Sequence, residues 1–307
     1  MKDIVVSARL RRVNPDHVLN LFEGEDDDGR PCLVLFSGNT PTSADFSRLK
    51  SSRSIDVKLR QRTDGLYALS FSLIDPNMKD LFDSFIKDMV LSSEGIPTDK
   101  TGLSFISRRY SAWRNLFNKT EVCKLSFKEI KGLIGELLFM KYYMFAEYGF
   151  EKAVKAWVGP DGADQDYRID NTWFEIKTTT SGNTAIEISS LEQLDCPGSG
   201  FLVVMKLDVS SIADSNSITL NSVIEEMRSI LSIYGCEEFF DTKLVQSGYY
   251  YQEEYNQICF SYNGMFRFVV DDDFPVLRRK DIRHNEIINA TYFIETNNLK
   301  DVGGELS

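Results

Sequence analysis

The stretch that decides the fold is residues 165–178, which read Gln165-Asp-Tyr-Arg-Ile-Asp-Asn-Thr-Trp-Phe-Glu-Ile-Lys-Thr178. Two strand-forming runs, 165–169 and 172–178, are separated by the turn residues Asp170-Asn171. Short runs of this kind joined by two turn residues are typical of a β-hairpin. We therefore predict two neighbouring antiparallel strands here.

The predicted hairpin gathers several chemically active side chains. Because side chains alternate along a strand, Glu175 and Lys177 project from one face and Ile176 projects from the other. Ile176 can then enter the core while its backbone carbonyl stays available as a ligand. Asp166 opens the neighbouring strand. We therefore expect two acids and a lysine to lie close together.

A capped and very apolar helix precedes the hairpin. Ser126-Phe-Lys-Glu129 has the form of a capping box, in which the serine and glutamate side chains each satisfy a free backbone amide. Most residues between 130 and 146 are apolar, and a helix that is apolar on most of its circumference is buried. Glu136 is one of its few charged residues. A buried carboxylate needs a partner, and a cation would serve.

The remaining core elements follow from the hydrophobic pattern. It predicts a strand at 153–158, a third strand of the core at 184–188, a short capped helix at 189–194 and a buried strand at 201–207. With the hairpin, the core has the order helix, three strands, helix, strand. The fold class is therefore α/β, or α+β.

These residue types suit metal-assisted hydrolysis of a phosphodiester. Magnesium prefers hard oxygen ligands, and it can activate water and offset charge on a phosphate. The candidate ligands are Asp166, Glu175, the Ile176 carbonyl and Glu136. A lysine beside the ion, here Lys177, can orient the attacking water and balance developing negative charge.

An acidic-x-Lys triplet is not specific by itself. The chain has four, which begin at Asp56, Glu129, Glu175 and Asp241. Glu129 is explained by the capping box, and Asp241 lacks a strand context. Asp56 is a real rival, but no buried helix that carries a carboxylate precedes it. A solvated Glu–Lys pair is the alternative interpretation of Glu175, and the order of the surrounding elements favours the metal site.

Composition constrains the partners. The net charge is −11, whereas nucleic-acid binding by phosphate neutralisation normally needs a basic surface. Such a surface must be local or supplied by a partner. Two histidines and five cysteines without a Cys-x-x-Cys pair argue against a Cys/His zinc site, and reduced thiols indicate the cytoplasm. No apolar run is long enough to span a membrane.

The chain divides into three expected parts. These are a β-rich N-terminal domain with helices at its end (1–118), the core (119–210) and a mixed C-terminal α/β extension that packs on the core (211–307). In the first part, strand-forming runs occur at 4–6, 17–22, 32–36 and 67–71, helices are predicted at 78–90 and 103–118, and the best linker candidate is 92–102.

Two segments have alternative interpretations. The helix at 103–118 interleaves basic and aromatic residues, which could contact nucleic acid or could pack Trp113 and Phe117 into a domain seam with the arginines solvated. The basic segment 277–283 could contact phosphate or could be a solvated loop.

The core residues resemble a known superfamily, the PD-(D/E)XK nucleases. Asp166 matches the first acid of that pattern, Glu175 the second and Lys177 the lysine. Glu136 matches the glutamate that many members carry on the first helix. The resemblance implies a restriction-endonuclease-like core, catalytic roles for these four residues and a Mg²⁺ cofactor for which Mn²⁺ substitutes.

A narrower resemblance rests on four motifs. These are Gly135-Glu-Leu-Leu138, Trp157-x-Gly-Pro-x-Gly162, Glu175-x-Lys-Thr-Thr179 and Ser189-Ser-Leu-Glu-Gln-Leu194. They are similar to an uncharacterised bacterial family of PD-(D/E)XK motif proteins that is often encoded among phage-defence genes. This similarity implies restriction-like DNA cleavage together with other defence-system proteins, with a homodimer as one way to cut both strands.

Two positions need comment within this resemblance. Gln193 is counted among the catalytic residues, because a glutamine on that helix contacts the phosphate or the lysine in some relatives. A plain surface amide is the alternative for Gln193. Gln165, and not proline, precedes Asp166, which is a departure from the pattern.

The sequence leaves two functional hypotheses. The first is a Mg²⁺-dependent endodeoxyribonuclease of a phage-defence or restriction system. The second is a catalytically silent nuclease-fold module that binds DNA or a partner subunit. The presence of all four pattern residues favours the first hypothesis, whereas the acidic charge balance argues the other way, towards a protein that needs a partner for DNA.

Overall fold

The computed structural model describes residues 9–94, 96, 101–118 and 124–303. The described residues form two compact units. One contains the described residues up to 118 together with Gly248–Tyr250, and the other contains 124–247 and 251–303. The predicted strand at 4–6 and part of the predicted linker at 92–102 lie outside the described residues. The boundary expected at residue 210 remains a prediction.

The first unit is built on an antiparallel sheet with the strand order β1-β2-β3-β5-β4. Its elements are β1 (Arg9–Arg12), β2 (Asn20–Glu25), β3 (Pro31–Ser37), α1 (Ser43–Arg48), β4 (Ile55–Gln61), β5 (Tyr67–Leu73), α2 (Lys79–Ser93) and α3 (Gly102–Phe117). The β-rich character predicted for this region is therefore present.

Helix α3 of this unit uses its aromatic residues for packing. Trp113 is buried, its ring lies 5.6 Å from that of Phe85, and its indole N–H donates to Asp88 Oδ2 at 2.8 Å. Arg109, which is also buried, forms an ion pair with the same carboxylate at 2.5 Å. Trp113 therefore packs as the second interpretation expected, but inside this unit, and Arg109 is buried where solvated arginines were expected.

The second unit contains the predicted core and the C-terminal part of the chain. Its elements are α4 (Phe127–Phe139), a π-helical turn (Met140–Met144), α5 (Phe145–Tyr148), α6 (Phe150–Ala156), β6 (Tyr167–Ile169), β7 (Thr172–Thr179), β8 (Ala185–Ile188), β9 (Ser199–Val209), α7 (Leu220–Ile233), α8 (Glu237–Gln246), β10 (Phe260–Val270) and β11 (Tyr292–Glu295). The capping box at Ser126 and Glu129 is present at the start of α4.

The main sheet of this unit has the order β10-β9-β7-β6. The predicted hairpin is formed by β6 and β7, and β9 runs parallel to β7. Helix α4 packs closely on β7, since a Cβ on Gly135 would lie only 2.1 Å from Thr178 Cγ2. Phe139 and Phe174 extend this contact, with ring centroids 5.2 Å apart. Helix α4 and the hairpin are thus fixed against each other.

Two local predictions were wrong. Residues 150–156 form α6 where a strand was expected at 153–158. Ala153 and Val154 are both buried, and Glu151 pairs with Lys155 across one helical turn. Residues 189–194 form a turn and no helix.

The third predicted strand, β8, exists but lies outside the main sheet. It pairs with β11 in a separate two-stranded sheet, in the register Ile188 with Tyr292 to Ala185 with Glu295. A hydrophobic cluster that contains Trp173, Ile188 and Phe268 fills the space on this side of the unit. Within the described residues, no helix has the length and apolar character that a membrane crossing needs.

Candidate active site

Four neighbouring elements of the second unit supply the predicted site residues. Glu136 lies on α4, Asp166 immediately precedes β6, and Glu175 and Lys177 lie on β7. Gln193 lies in the turn between β8 and β9. Because α4, β6 and β7 pack against one another, residues far apart in the chain are brought to one region.

Glu136 and Asp166 face the same point beside Gly159. A Cβ on Gly159 would lie 3.2 Å from Asp166 Oδ1 and 3.7 Å from Glu136 Oε2. The backbone N–H groups of Val158 and Gly159 both donate to the carbonyl of Asp166, at 2.9 and 3.0 Å. The loop after α6 is therefore fastened to the start of β6, and its glycine leaves room for the two carboxylates.

Two aromatic residues hold Glu136 in place. The indole N–H of Trp157 donates to Glu136 Oε2 at 2.7 Å. The hydroxyl of Tyr167 donates to the backbone carbonyl of Glu136 at 2.9 Å. Both aromatic side chains are fully buried, so Trp157 holds the carboxylate and Tyr167 holds the backbone of Glu136, whose own side chain stays partly exposed.

Asp166 is anchored by the neighbouring strand. The backbone N–H of Ile176 donates to Asp166 Oδ2 at 2.7 Å. The N–H and C=O of one strand residue point to the same side, so the Ile176 carbonyl also points to the Asp166 side of β7. The Ile176 side chain is buried, as predicted from the alternation of β7.

Lys177 connects Glu175 to Gln193. Its ammonium group lies 2.8 Å from Glu175 Oε1 and donates to Gln193 Oε1 at 3.1 Å. Glu175 is 2% exposed, and among the described residues its second oxygen, Oε2, has no hydrogen-bond partner. A buried carboxylate oxygen without a donor is costly, which marks this atom as an acceptor for something else.

Burial and mutual repulsion raise the pKa of each acid. Burial and then the Asp166 charge raise the pKa of Glu136 and of Glu175 well above the usual value. Burial raises the pKa of Asp166 to about 6, against the opposing effects of the Ile176 N–H and Lys177. Three acids that resist ionisation together are expected where a cation would balance them.

The oxygen atoms of the three acids are suitable ligands for a hard divalent cation. Each carboxylate uses one oxygen for a protein donor, Glu136 for Trp157, Asp166 for Ile176 and Glu175 for Lys177. The second oxygen of each acid remains for an ion, and oxygen ligands are those that Mg²⁺ and Mn²⁺ prefer. As they stand, no three acidic, histidine or cysteine side chains of the described chain are grouped as a ready metal cluster. Small side-chain movements would therefore have to accompany binding.

The rival triplets have other roles. Asp56 lies in the first unit and pairs with Lys58 at 2.8 Å, an interaction that lowers the pKa of Asp56. Glu129 completes the helix cap, as predicted. Asp241 lies on α8 and pairs with Arg228 at 2.7 Å. The raised pKa of Glu175 contrasts with the lowered pKa of Asp56.

Two residues that the sequence analysis did not assign to the site, Trp157 and Lys243, hold other parts of it in place. Trp157 was noted only as part of a family motif, although its buried N–H holds Glu136. Lys243 was set aside because its triplet lacks a strand context. It is buried and forms an ion pair with Asp161, in the same loop as Gly159. A buried lysine is rare without a partner, but the burial of Lys243 is visible only in the structure, so the sequence carried no signal for this ion pair.

Within the basic segment 277–283, Arg279 is engaged by several contacts inside the protein. Arg279 donates to Glu192 Oε1 at 3.1 Å through its side chain and to Asp195 Oδ2 at 2.9 Å through its backbone. It also donates to the carbonyls of Ile287 and Ile288. Arg279 thus fastens the turn that carries Gln193. This contact favours a structural role over a free phosphate contact for Arg279.

The pairing of β6 with β7, the helix α4 packed on them and the grouping of Glu136, Asp166, Glu175 and Lys177 agree with the PD-(D/E)XK pattern expected from the sequence. The sequence model of a family with the description "Putative PD-(D/E)XK family member, (DUF4420)" matches residues 4–297. The chain belongs to this family, and the predicted mixed α/β, restriction-endonuclease-like fold class is confirmed. Comparison with curated proteins and with solved structures gave no match.

Proposed function

We propose that the protein is a Mg²⁺-dependent endodeoxyribonuclease that acts in a bacterial phage-defence or restriction system. The observation that carries this proposal is the buried Glu175 carboxylate, whose Oε2 lacks a donor in the described structure while Oε1 contacts Lys177. A solvated Glu–Lys pair on a strand face would also bring the two charges together, but it would not leave a buried carboxylate oxygen without a donor. Two further acids, Glu136 and Asp166, complete the acidic group.

The residues present fit a metal-binding role. Asp166, Glu175 and the Ile176 carbonyl would hold Mg²⁺, with Glu136 as a further or water-mediated ligand, and Mn²⁺ would substitute. Bound there, the ion would supply a more acidic water and would offset charge on the scissile phosphate.

The protein itself supplies position and charge. An ammonium group has three N–H donors, and Lys177 uses two of them for Glu175 and Gln193. The third can orient the attacking water or donate to a phosphate oxygen. Trp157 and the Ile176 N–H keep Glu136 and Asp166 oriented before substrate arrives. Preorganised donors of this kind stabilise the transition state more than mobile ones do.

The proposed partners and compartment rest on the net charge of the protein, its free cysteines and its resemblance to a family linked to phage defence. A net charge of −11 disfavours strong DNA binding by the protein alone, so we propose that other defence-system proteins help to deliver DNA. A homodimer would allow cleavage of both strands. The four cysteines within the described residues are free thiols, which is consistent with action in the cytoplasm.

A cleavage assay tests the proposal. Supercoiled plasmid, single-stranded DNA and RNA are incubated with the protein in Mg²⁺, Mn²⁺ or EDTA, with and without the products of neighbouring genes. The wild type and Asp56→Asn, a matched control at the rival triplet, should nick or linearise plasmid in Mg²⁺ and Mn²⁺. Glu175→Gln should not.

The other outcomes distinguish the alternatives. Retarded DNA without any product, in both metals and with all partners, would establish a silent binding module. Cleavage of RNA alone would correct the substrate. Equal activity of Glu175→Gln and the wild type would refute the proposed site.

A further inference from the structure

Gln165 stands where the superfamily pattern has proline, immediately before Asp166. Its side chain is 1% exposed. A buried primary amide carries two donors and an acceptor, all of which must be satisfied within the protein. The contacts of Gln165 therefore indicate what this departure from the pattern does.

Both ends of the Gln165 amide are bonded. Its Nε2 donates to the carbonyls of Glu192 at 2.7 Å and Gln193 at 3.3 Å. Its Oε1 accepts from Nε of Arg168 at 3.0 Å and also from Nη2 of the same guanidinium. Because one end meets two carbonyls and the other meets a cation, only this orientation of the amide satisfies every group.

The turn to which Gln165 is hydrogen-bonded contains Gln193, the hydrogen-bond partner of Lys177. Gln193 Oε1 accepts from Lys177 Nζ at 3.1 Å and from the backbone N–H of Ser189 at 2.9 Å. Residues 189–194 form no helix, so regular backbone hydrogen bonds do not hold Gln193 in position. Its place depends on contacts from other segments, and Gln165 makes two of them.

We propose that Gln165 is a positioning residue that acts through Gln193 on Lys177. The amide of Gln165 fixes the backbone at Glu192 and Gln193, and the Gln193 side chain then fixes the Lys177 ammonium group beside Glu175. Gln165, which precedes Asp166, thereby sets the position of Lys177 on the neighbouring strand. The catalytic consequence rests on the proposed nuclease function, whereas the positioning itself does not.

The first test needs neither metal nor DNA. Hydrogen–deuterium exchange is measured on the full chain across residues 189–194 in the wild type, Gln165→Met and Gln165→Asn. Methionine has a similar shape but cannot donate, and asparagine keeps the amide but is one methylene too short. Both variants should speed exchange at Ser189 on the order of tenfold, because Gln193 Oε1 no longer stays on the Ser189 N–H.

A matched control uses a second buried glutamine of the same unit. Gln252 lies beside α7, where its backbone carbonyl accepts from Asn221. Gln252→Met should leave exchange at 189–194 unchanged. Unchanged exchange in both Gln165 variants would overturn the proposal, as would an equal increase in Gln252→Met.

The second test is a double-mutant cycle on cleavage. Gln165→Asn should lower kcat on the order of tenfold with little change in KM, since the substrate contacts stay intact. Gln193→Ala should lower kcat at least as much, and the double variant should be no slower than Gln193→Ala alone. Fully multiplicative effects would contradict action through Gln193. Absence of cleavage by the wild type would refute the proposed function and leave the exchange test to decide on positioning.

Discussion

The carboxylates of Glu136 and Asp166 converge beside Gly159, at 3.7 and 3.2 Å from the point where a Cβ on that glycine would lie. One acid comes from a helix and the other from the start of a strand, and the loop between them has no side chain at their meeting point. The loop is held by two hydrogen bonds from Val158 and Gly159 to the Asp166 carbonyl. Gly159 is thus part of the geometry of the acidic group.

Gly159→Ala should weaken metal binding on the order of tenfold. The new methyl group would crowd Asp166 Oδ1, and a Cβ before Pro160 also disfavours the helical backbone observed there. We expect a stability loss of about 1–3 kcal/mol from this crowding. Calorimetric titration with Mn²⁺, well below the unfolding temperature of the variant, measures the affinity.

Gly132→Ala is the matched control for Gly159→Ala. A Cβ on Gly132 meets no atom within 4 Å, and the position lies inside α4. The variant should gain up to about 1 kcal/mol of stability from helix propensity and should bind Mn²⁺ like the wild type. Equal Mn²⁺ affinities of the two alanine variants would show that Gly159 has no special place in the site.

Lys177→Ala should slow cleavage roughly a hundred- to a thousandfold. The substitution removes a donor that contacts Glu175 and Gln193, and loss of one preorganised donor typically costs about 2.7–4 kcal/mol in the transition state. Metal binding should survive because the three carboxylates remain. Single-turnover cleavage and thermal unfolding are measured on the same preparation.

Lys58→Ala provides the control for Lys177→Ala, since Lys58 occupies the same place in the Asp56 triplet and is ion-paired with Asp56. Its cleavage rate should equal that of the wild type. Full activity in a well-folded Lys177→Ala protein would rule out the catalytic role of the lysine.

The metal-free protein should become less stable as the pH rises. The pKa of Asp166 is about 6 in the folded protein, whereas the ordinary pKa of an aspartate side chain, which we take for the unfolded chain, is 3.8. A carboxyl group with a raised folded pKa stabilises the fold fully below the lower value, and this contribution is lost as pH rises through about 6. Glu136 and Glu175 shift in the same direction. Urea unfolding between about pH 5 and pH 8 in EDTA should show a loss on the order of 1–3 kcal/mol from Asp166.

Mg²⁺ should oppose that loss, because binding requires ionised ligands and therefore strengthens as pH rises. Asp166→Asn keeps an oxygen for the Ile176 N–H, so it should fold, flatten the pH dependence and abolish cleavage. A pH profile of Asp166→Asn identical to that of the wild type would show that Asp166 does not titrate in this range.

Local signals predicted a large part of this fold. The capping box at Ser126, the apolar helix behind it and the turn at Asp170-Asn171 each depend on neighbours in the sequence, and all are present. The α6 region was misread because its short apolar run also fits a strand, although the Glu151–Lys155 spacing fits a helix.

Long-range contacts explain the other differences. β8 leaves the main sheet to pair with β11, far along the chain, which no local pattern reveals. The segment around Gln193 does not form a helix, and its carbonyls are bonded by the buried Gln165 amide from a distant segment. For the same reason the sequence indicated the acids and Lys177 but missed Trp157, whose role depends on its placement against Glu136.

Anomalous diffraction at the manganese edge, from crystals grown with Mn²⁺, tests the central claim most directly. The account predicts a manganese peak bonded to Asp166 Oδ1 and Glu175 Oε2, with the Ile176 carbonyl in its coordination shell and Glu136 on the same side. It also predicts that this peak disappears in Glu175→Gln crystals grown in the same way. A saturated crystal with manganese elsewhere on the protein and none between Asp166 and Glu175 would contradict the account.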